Sequence, residues 1–492
     1  MILRASQSDT VKMFISQPRR IAVKSLVERI RSCEPDLRDK FALRMGHGER
    51  EYESNQTRAW FVTTGYLVRL LAANPERFDD VSHLIIDETH ERSVESDILC
   101  LLCRRLLESN HRIRLILMSA TLAAGMYAEY FAVIEPPIEV GGRRFPIKEF
   151  FIEDIISKFK LPAKDKKAAC YIQEQCEKSK CRSTPSNTHM DNLYQLAVRV
   201  TAAVGQPGGS VLIFVAGMND IISIIDKIEG LYMPGARYTC FPIHSDVPFE
   251  EQMAAFDKPA KDEIKVIIGT NAAESSITLP DVDHVVCLGL QKQIIYNPAS
   301  HRQLLTPAWI SRANAVQRAG RTGRVRNGNV YRLYSRAAFD LYMQKFEIGE
   351  ISRVPLDSTI LLMKEMLHEE ATPVLLDCLE PPELATIERS FESLHSQNFL
   401  TEPDDSGQIT SLGSFVSSVG IDLMVSFLCV RKSLKNCVLT PILKKLGSLI
   451  GLGIQFGVGA ESIELAAILS FGKSPWVISN PIFHEAAEFN GE

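Results

Sequence analysis

Asp87 and Glu88 close the apolar run Leu84-Ile85-Ile86, and His90 follows two places later. An uninterrupted Leu/Ile run reads as a parallel strand buried on both faces. The carboxyl end of such a strand is where α/β folds place their ligands. Two adjacent carboxylates at that edge can hold Mg²⁺ through water and orient an attacking water on a nucleoside triphosphate. Taken alone, the run is more simply a strand that ends in a solvated acidic turn.

It is not alone. Gln17-Pro18-Arg19-Arg20-Ile21-Ala22 precedes it. Ser119-Ala120-Thr121, Gly269-Thr270-Asn271-Ala272-Ala273-Glu274-Ser275-Ser276 and Gln317-Arg318-Ala319-Gly320-Arg321-Thr322-Gly323-Arg324 follow it in that order. Arg321 and Arg324 are spaced so that, at the start of a helix, they project from one face. Guanidinium groups placed there can clamp the β- and γ-phosphates from a facing domain, and Gln317, one turn earlier, can position the same water. A solvated basic helix is the plain alternative, although the glycines allow a close backbone approach that a surface helix does not need.

The order and wording of these motifs resemble the DEAH-box family of superfamily 2 RNA helicases, with Asp-Glu-Thr-His in place of Asp-Glu-Ala-His. The resemblance runs from Met13 to about Pro475. It implies an ATP-dependent (or other NTP-dependent), Mg²⁺-requiring enzyme that moves 3′ to 5′ along single-stranded RNA with a 3′ tail, and it leaves room for a protein activator. Glu88 would orient the water and hold Mg²⁺ with Asp87 beside it, and Gln317, Arg321 and Arg324 would complete the catalytic set. His90 would couple the nucleotide site to the facing domain, as would Ser119 and Thr121; His90 reads equally as a packed, hydrogen-bonded histidine.

By the same resemblance Arg29 and Phe256 would sandwich the base, Asp281 would reach the ribose and Ser276 would join the nucleotide site. Stacking of that kind discriminates bases poorly, and Arg29 reads equally as a solvated helix residue. Arg19, Arg20, Thr63, Thr64 and Gly65 would contact RNA from the first domain, and Thr270 and Asn271 from the second. Such phosphate contacts position a strand without reading its sequence. Thr63-Thr64-Gly65 also reads as a helix N-cap before Tyr66.

The family's phosphate-binding loop, Gly-x-x-x-x-Gly-Lys-Ser/Thr, belongs just ahead of Gln17, yet no glycine occurs before Gly46. Gly472-Lys473-Ser474 is no substitute. The first loop glycine would fall on Ala467, and the segment follows the helix-like run Glu464 to Leu469 rather than a strand. Without the loop's amides and lysine the phosphates lose their main cradle. The expectation is a chain cut at both ends, with weak or absent ATP turnover by residues 1–492. A non-catalytic RNA-binding scaffold is the competing reading. Against it stand Asp87, Glu88, Gln317, Arg321 and Arg324, all of the residue types catalysis needs. A DNA translocase fits the Gln17-Pro18-Arg19-Arg20 and winged-helix resemblances less well.

The elements that must hold these residues are legible as alternation. Val11–Ser16, Trp60–Thr63, Leu84–Ile86 and Arg114–Met118 read as strands, with amphipathic helices at Ile21–Ile30 and Gly65–Ala73. Ser210–Val215, Tyr238–Ile243, Lys265–Gly269 and His284–Leu288 form a second series. After about Glu347, Ser358–Leu367, Glu383–Leu394 and Ile421–Leu434 read as helices. The expected fold is therefore α/β, with two tandem RecA-like parallel-sheet domains at 1–155 and 193–346. A polar, mobile linker at 156–192 separates them. By resemblance, a winged-helix domain at 347–413 and the start of a helical-bundle (ratchet) domain at 414–492 follow.

Composition constrains the rest. At 492 residues, 45% hydrophobic and 23% charged, the chain can bury sizeable cores. Its net charge of −5 gives no overall basic field, so any nucleic-acid contact must come from a local groove. Eleven scattered cysteines suit reduced thiols in cytoplasm or nucleus. Cys100-Leu101-Leu102-Cys103 reads as two core thiols on a helix, and Cys170, Cys176, Cys181 and His189 lack zinc-knuckle spacing. The longest apolar stretch, Leu446 to Ala460, contains Gln455 and five glycines, which argues against a membrane span and for a soluble protein.

Overall fold

The computed structural model describes residues 2–5, 11–120, 124–140, 145–181, 184–231, 234–274, 279, 282–297, 302–367 and 369–419. The chain divides into two compact units, Met1–Val354 and Pro355–Glu492.

The first unit is built on two sheets. Strands β1 (Met13–Gln17), β2 (Phe41–Arg44), β3 (Arg50–Glu51), β4 (Ala59–Thr63), β5 (His83–Ile86) and β6 (Arg114–Leu117) lie in the order β3-β2-β4-β1-β5-β6. All neighbours are parallel except β2 and β3. Every residue of β1 is buried, as its central place requires. On one face Met13, Ile15, Phe41, Leu43 and Phe61 pack with Val23 and Val27 of the helix Arg20–Cys33. On the other, Phe14 stacks on Trp60 with ring centroids 5.4 Å apart. Each large apolar side chain so buried contributes about 1.5–3 kcal/mol.

The second sheet comprises β7 (Ile147–Phe150), β8 (Ser210–Phe214), β9 (Arg237–Ile243), β10 (Glu263–Gly269), β11 (His284–Cys287) and, after the antiparallel hairpin β12 (Leu290–Asn297) and β13 (Arg302–Trp309), β14 (Gly328–Arg332). Its order is β7-β14-β11-β8-β10-β9, parallel throughout. β7 lies in sequence within the expected first domain but pairs with β14 of the second sheet.

Residues 156–192, expected as a mobile linker, are largely helical among those described. The helix Ala163–Ser179 buries Ala168, Ala169, Ile172 and Cys176, and it packs on the next helix, Asn187–Val204. Its many lysines and glutamates occupy the outer face, which is why the segment reads as polar.

The second unit holds helices Asp357–Met366, Ala371–Leu376, Leu384–Ser396 and Ser411–Val419, with one antiparallel bridge between Leu400 and Ile409. The expected helices Ile421–Leu434 and Glu464 to Leu469, and the expected bundle beyond residue 419, lie outside the described residues. Among the described residues no helix is long and apolar enough to cross a membrane.

Candidate active site

Register brings the motif residues to one edge of the first sheet. Gln17 pairs with Thr63, Ser16 with Ile86, and Ile86 with Leu117, so Gln17, Thr63, Asp87 and Met118 all stand at the carboxyl ends. Gln17 Nε2 donates to Asp87 Oδ2 at 2.6 Å, and the Glu88 N–H donates to Asp87 Oδ1 at 2.8 Å. Both Asp87 oxygens are thus fixed, each with a lone pair to spare.

The turn after β5 is strained. Glu88 and Arg92 have φ of 55° and 50°, a left-handed conformation that non-glycine residues keep only when their surroundings hold it. Here the surroundings do. The Thr89 N–H and hydroxyl both donate to the Met118 carbonyl, at 3.1 and 3.2 Å, and the Tyr127 hydroxyl donates to the Thr89 carbonyl at 2.7 Å. Arg92 grips Asp97 with two bonds of 2.9 and 3.0 Å. Glu350 adds two more from far along the chain. Its N–H donates to the Arg92 carbonyl at 2.9 Å, and its carboxylate accepts from the Val94 N–H at 3.2 Å.

His90 faces the second sheet. Its Nδ1 accepts from the Ala120 N–H at 3.2 Å, so in the neutral ring the proton sits on Nε2. That nitrogen lies 2.9 Å from the side-chain amide of Gln317 and 3.5 Å from Glu88 Oε2. An Nε2–H donor is satisfied when Gln317 presents its amide oxygen. The His90 ring is thus packed, hydrogen-bonded and in contact with a side chain of the second domain.

Gln317 sits in the last turn of the helix Arg312–Ala319, which Ser311 caps by accepting from the Asn314 N–H at 3.1 Å. Expected at the start of a helix, Arg321 and Arg324 instead follow the end of one. Gly320 closes it, and Gly323, at φ 73°, turns the chain where an added Cβ would come within 2.7 Å of Ile147 Cγ1. The two guanidinium groups are largely withdrawn from solvent. Burial and the neighbouring Arg324 charge pull Arg321 down to about 10, against the opposing pull of Glu88. Burial and Arg29 lower Arg324, again against Glu88. Glu88, Arg321 and Arg324 thus share one electrostatic environment, with Arg29 at its rim.

The other candidates are placed as follows. Arg19 pairs with Glu91 at 3.3 Å and Arg20 with Glu49, so both are already engaged with carboxylates. Thr63 holds the N-cap position of the helix Thr64–Ala73 without a side-chain capping bond, and the Thr64 hydroxyl meets Ser16 Oγ at 3.1 Å. Gly65 lies in the first turn of that helix. In the second domain the Thr270 hydroxyl accepts from the Ala272 N–H at 3.4 Å, and Asn271 opens the turn Asn271–Ala273. Phe256 is half-buried at the end of the turn Ala254–Phe256, and Ser119 is exposed. Thr121, Ser276 and Asp281 lie outside the described residues.

Several of these converge on a cavity of about 350 Å³ between the carboxyl ends of the two sheets. It is lined by Arg19, His90 and Glu91 from one side and by His244, Thr270, Asn271, Lys292 and Gln317 from the other. A larger cavity of about 690 Å³ opens elsewhere, around Lys12, Arg44 and Trp60. Asp80 and Glu53 neutralise its Lys12 and Arg44, and none of the motif residues reaches it.

Sequence reasoning missed Arg318 and Glu274. Arg318 is 0% exposed; its Nε donates to Glu274 Oε2 at 2.8 Å and its Nη1 to the Leu290 carbonyl at 3.1 Å. Both residues stand inside quoted motifs, but nothing in their spacing marks them as partners. Glu350 gave no sign of its bonds to the Arg92 turn, and Lys292 carried no signal at all.

Two family models match stretches of this chain. The DEAD/DEAH box helicase model matches residues 1–128, and the helicase conserved C-terminal domain model matches 189–326. The chain belongs to the DEAH-box helicases of superfamily 2. It is 31% identical over 462 residues to the DExH-box ATP-dependent RNA helicase DExH1 of Arabidopsis thaliana, covering 86% of this chain and 45% of that protein. It is 32% identical over 437 residues to the ATP-dependent RNA helicase DHX30 of Homo sapiens, covering 88% and 35%. This DEAH-box chain therefore spans less than half the length of those curated relatives. The crystal structure of the Escherichia coli DEAH/RHA helicase HrpB shares its fold, with a TM-score of 0.70 at 20% identity, over 96% of this chain and 56% of that one.

Proposed function

We propose that this chain is the motor portion of an ATP-dependent RNA helicase, in which NTP hydrolysis between the two sheets drives 3′-to-5′ movement along single-stranded RNA. One observation carries the reading. Glu88 and His90 from the first sheet meet Gln317, Arg321 and Arg324 from the second, next to a cavity lined by strand-contact candidates.

Each group has a task that its geometry suits. Glu88 orients the attacking water, and Gln317, held by His90, steadies it. Asp87 and Glu88 fit Mg²⁺, an ion that keeps most of its waters and leans on one or two carboxylates and the substrate's phosphates. Bound there, Mg²⁺ would neutralise charge on the transferring phosphate. Arg321 and Arg324 are two like charges in a withdrawn site, and an anion between them relieves both. Arg29 and Phe256 hold the base, and Ser276 and Asp281 reach the nucleotide. Arg19, Arg20, Thr63, Thr64, Gly65, Thr270 and Asn271 bind RNA phosphates, while Ser119 and Thr121 take part in coupling the domains. Residues 347–413 serve as a winged helix and 414–492 open a ratchet bundle. A 3′-tailed RNA and a protein activator are the partners, in cytoplasm or nucleus.

Residues 1–492 themselves turn ATP over weakly or not at all, because this sequence contains no Gly-x-x-x-x-Gly-Lys-Ser/Thr segment. Phosphate release from Mg·ATP, with and without oligouridylate, tests this on the native chain and on Glu88→Gln. Rates near background in both, with oligouridylate bound, are expected. RNA-stimulated turnover that vanishes in Glu88→Gln would refute the weak turnover while leaving Glu88 in its role. Loss of RNA binding altogether would refute the helicase reading itself.

A further inference from the structure

Glu274 stands at the end of the turn Asn271–Ala273, its N–H donating to the Asn271 carbonyl at 3.1 Å. That turn is rigidly seated. Thr270 caps it, and a Cβ added at Gly269 would lie 2.7 Å from Ala273 Cβ, so turn and strand are in close contact. From the turn Glu274 reaches the helix Arg312–Ala319 at two points. Its Oε1 accepts from Asn314 Nδ2 at 2.6 Å and its Oε2 from Arg318 Nε at 2.8 Å. Arg318 is locked in turn by the Leu290 carbonyl and by the Phe214 ring, 4.9 Å from its guanidinium carbon. Both ionic partners are buried, at 0% and 4% side-chain exposure.

The neighbours of this pair give it meaning. Thr270 and Asn271 line the cavity at one end, and Gln317, adjacent to Arg318, lines it at the other, against His90. A stiff ion pair with two attachment points on the helix makes turn and helix move as one body. We infer that Glu274 is a positioning residue that ties the phosphate-facing turn Thr270–Ala273 to Gln317, so that a strand bound at the turn is felt at His90. This deepens the strand-binding reading and rests on it.

The test needs no turnover. The His90 Cε1–Hε1 resonance, assigned by its loss in His90→Gln, is followed while oligouridylate is added to residues 1–492, with fluorescence anisotropy reporting binding. Removing the Glu274 charge would leave Arg318 buried and uncompensated. The variant is therefore Glu274→Asp, which keeps the charge but is one methylene too short to hold both Asn314 and Arg318. The native chain should bind the oligonucleotide and shift the His90 resonance. Glu274→Asp should bind with the same affinity and lose the shift. Asn314→Ala, which leaves the ion pair intact, should show a reduced shift, and it decides the question if the Asp variant melts early. A full shift in the variants, or a native complex with an unmoved His90, overturns the tie. Absence of binding by the native chain overturns the strand-binding reading, and the tie with it.

Discussion

The His90 ring and the Gln317 side-chain amide meet at 2.9 Å across 227 residues of chain and between two separate sheets. The bond links the turn that carries Glu88 to the helix that precedes Arg321. Any opening of the cleft must break it.

Gln317→Ala removes that bond and leaves each sheet intact. A single hydrogen bond of this sort contributes about 0.5–1.5 kcal/mol. The amides of Thr89 to Arg92 should therefore exchange with deuterium faster, by up to about tenfold, while the core of β1 exchanges as before. Unchanged exchange at Thr89 to Arg92 would mean the bond holds nothing.

Arg318→Ala has a different cost. It leaves Glu274 buried beside Asn314 without its cation, and breaking a buried pair in this way typically costs about 3–5 kcal/mol. The urea midpoint of the second sheet should fall well below that of the native chain. A loss under about 1 kcal/mol would place the pair in a much wetter setting than its burial indicates.

Much of this was legible in the sequence because the centres of β1, β5, β8 and β10 are apolar and largely buried, as in Leu84-Ile85-Ile86 and Val266-Ile267-Ile268. The carboxylates after β5 followed from those runs; the helix Arg312–Ala319 did not, since the arginine spacing pointed to a helix that starts at Arg321 rather than one that ends before it. Short or mixed strands gave no such signal. β7 carries Lys148 and Glu149, and β14 carries Asn329 and Arg332. The helix Ala163–Ser179 had a readable stripe at Ala168, Ile172 and Cys176, hidden among lysines and glutamates. The Glu274–Arg318 pair could not be read at all. Its partners are 44 residues apart, and only the fold brings a carboxylate and a guanidinium together away from water.

Acid should weaken the first unit through His189. Burial pushes its imidazole down to about 4, from 6.5 when exposed, and among the described residues its Nε2 has no hydrogen-bond partner. The unfolded chain therefore binds the extra proton between those values. This contribution is complete above pH 6.5 and is lost as pH falls towards 4. Between pH 7 and pH 5 the loss amounts to about 2 kcal/mol. Urea titrations at the two pH values should show it, and His189→Gln should flatten the difference. An equal slope in that variant would move the effect to other groups.

Arg321 and Arg324 offer a ligand test. Pyrophosphate should raise the melting temperature of the native chain in proportion to the logarithm of its concentration, as expected for a ligand of the folded state. The rise should vanish in Arg321→Ala and shrink in Arg324→Ala. A rise of the same size in both variants would place the anion elsewhere.

Binding of fluorescein-labelled single-stranded RNA to residues 1–492, followed by anisotropy across a salt series, is the decisive measurement. The chain should bind RNA at low salt whatever its base sequence. Affinity should fall linearly on a log–log plot, by about 0.7 for each phosphate neutralised, and Arg19→Ala with Asn271→Ala should weaken it. No binding at low salt, or binding indifferent to both salt and those substitutions, would contradict the helicase reading.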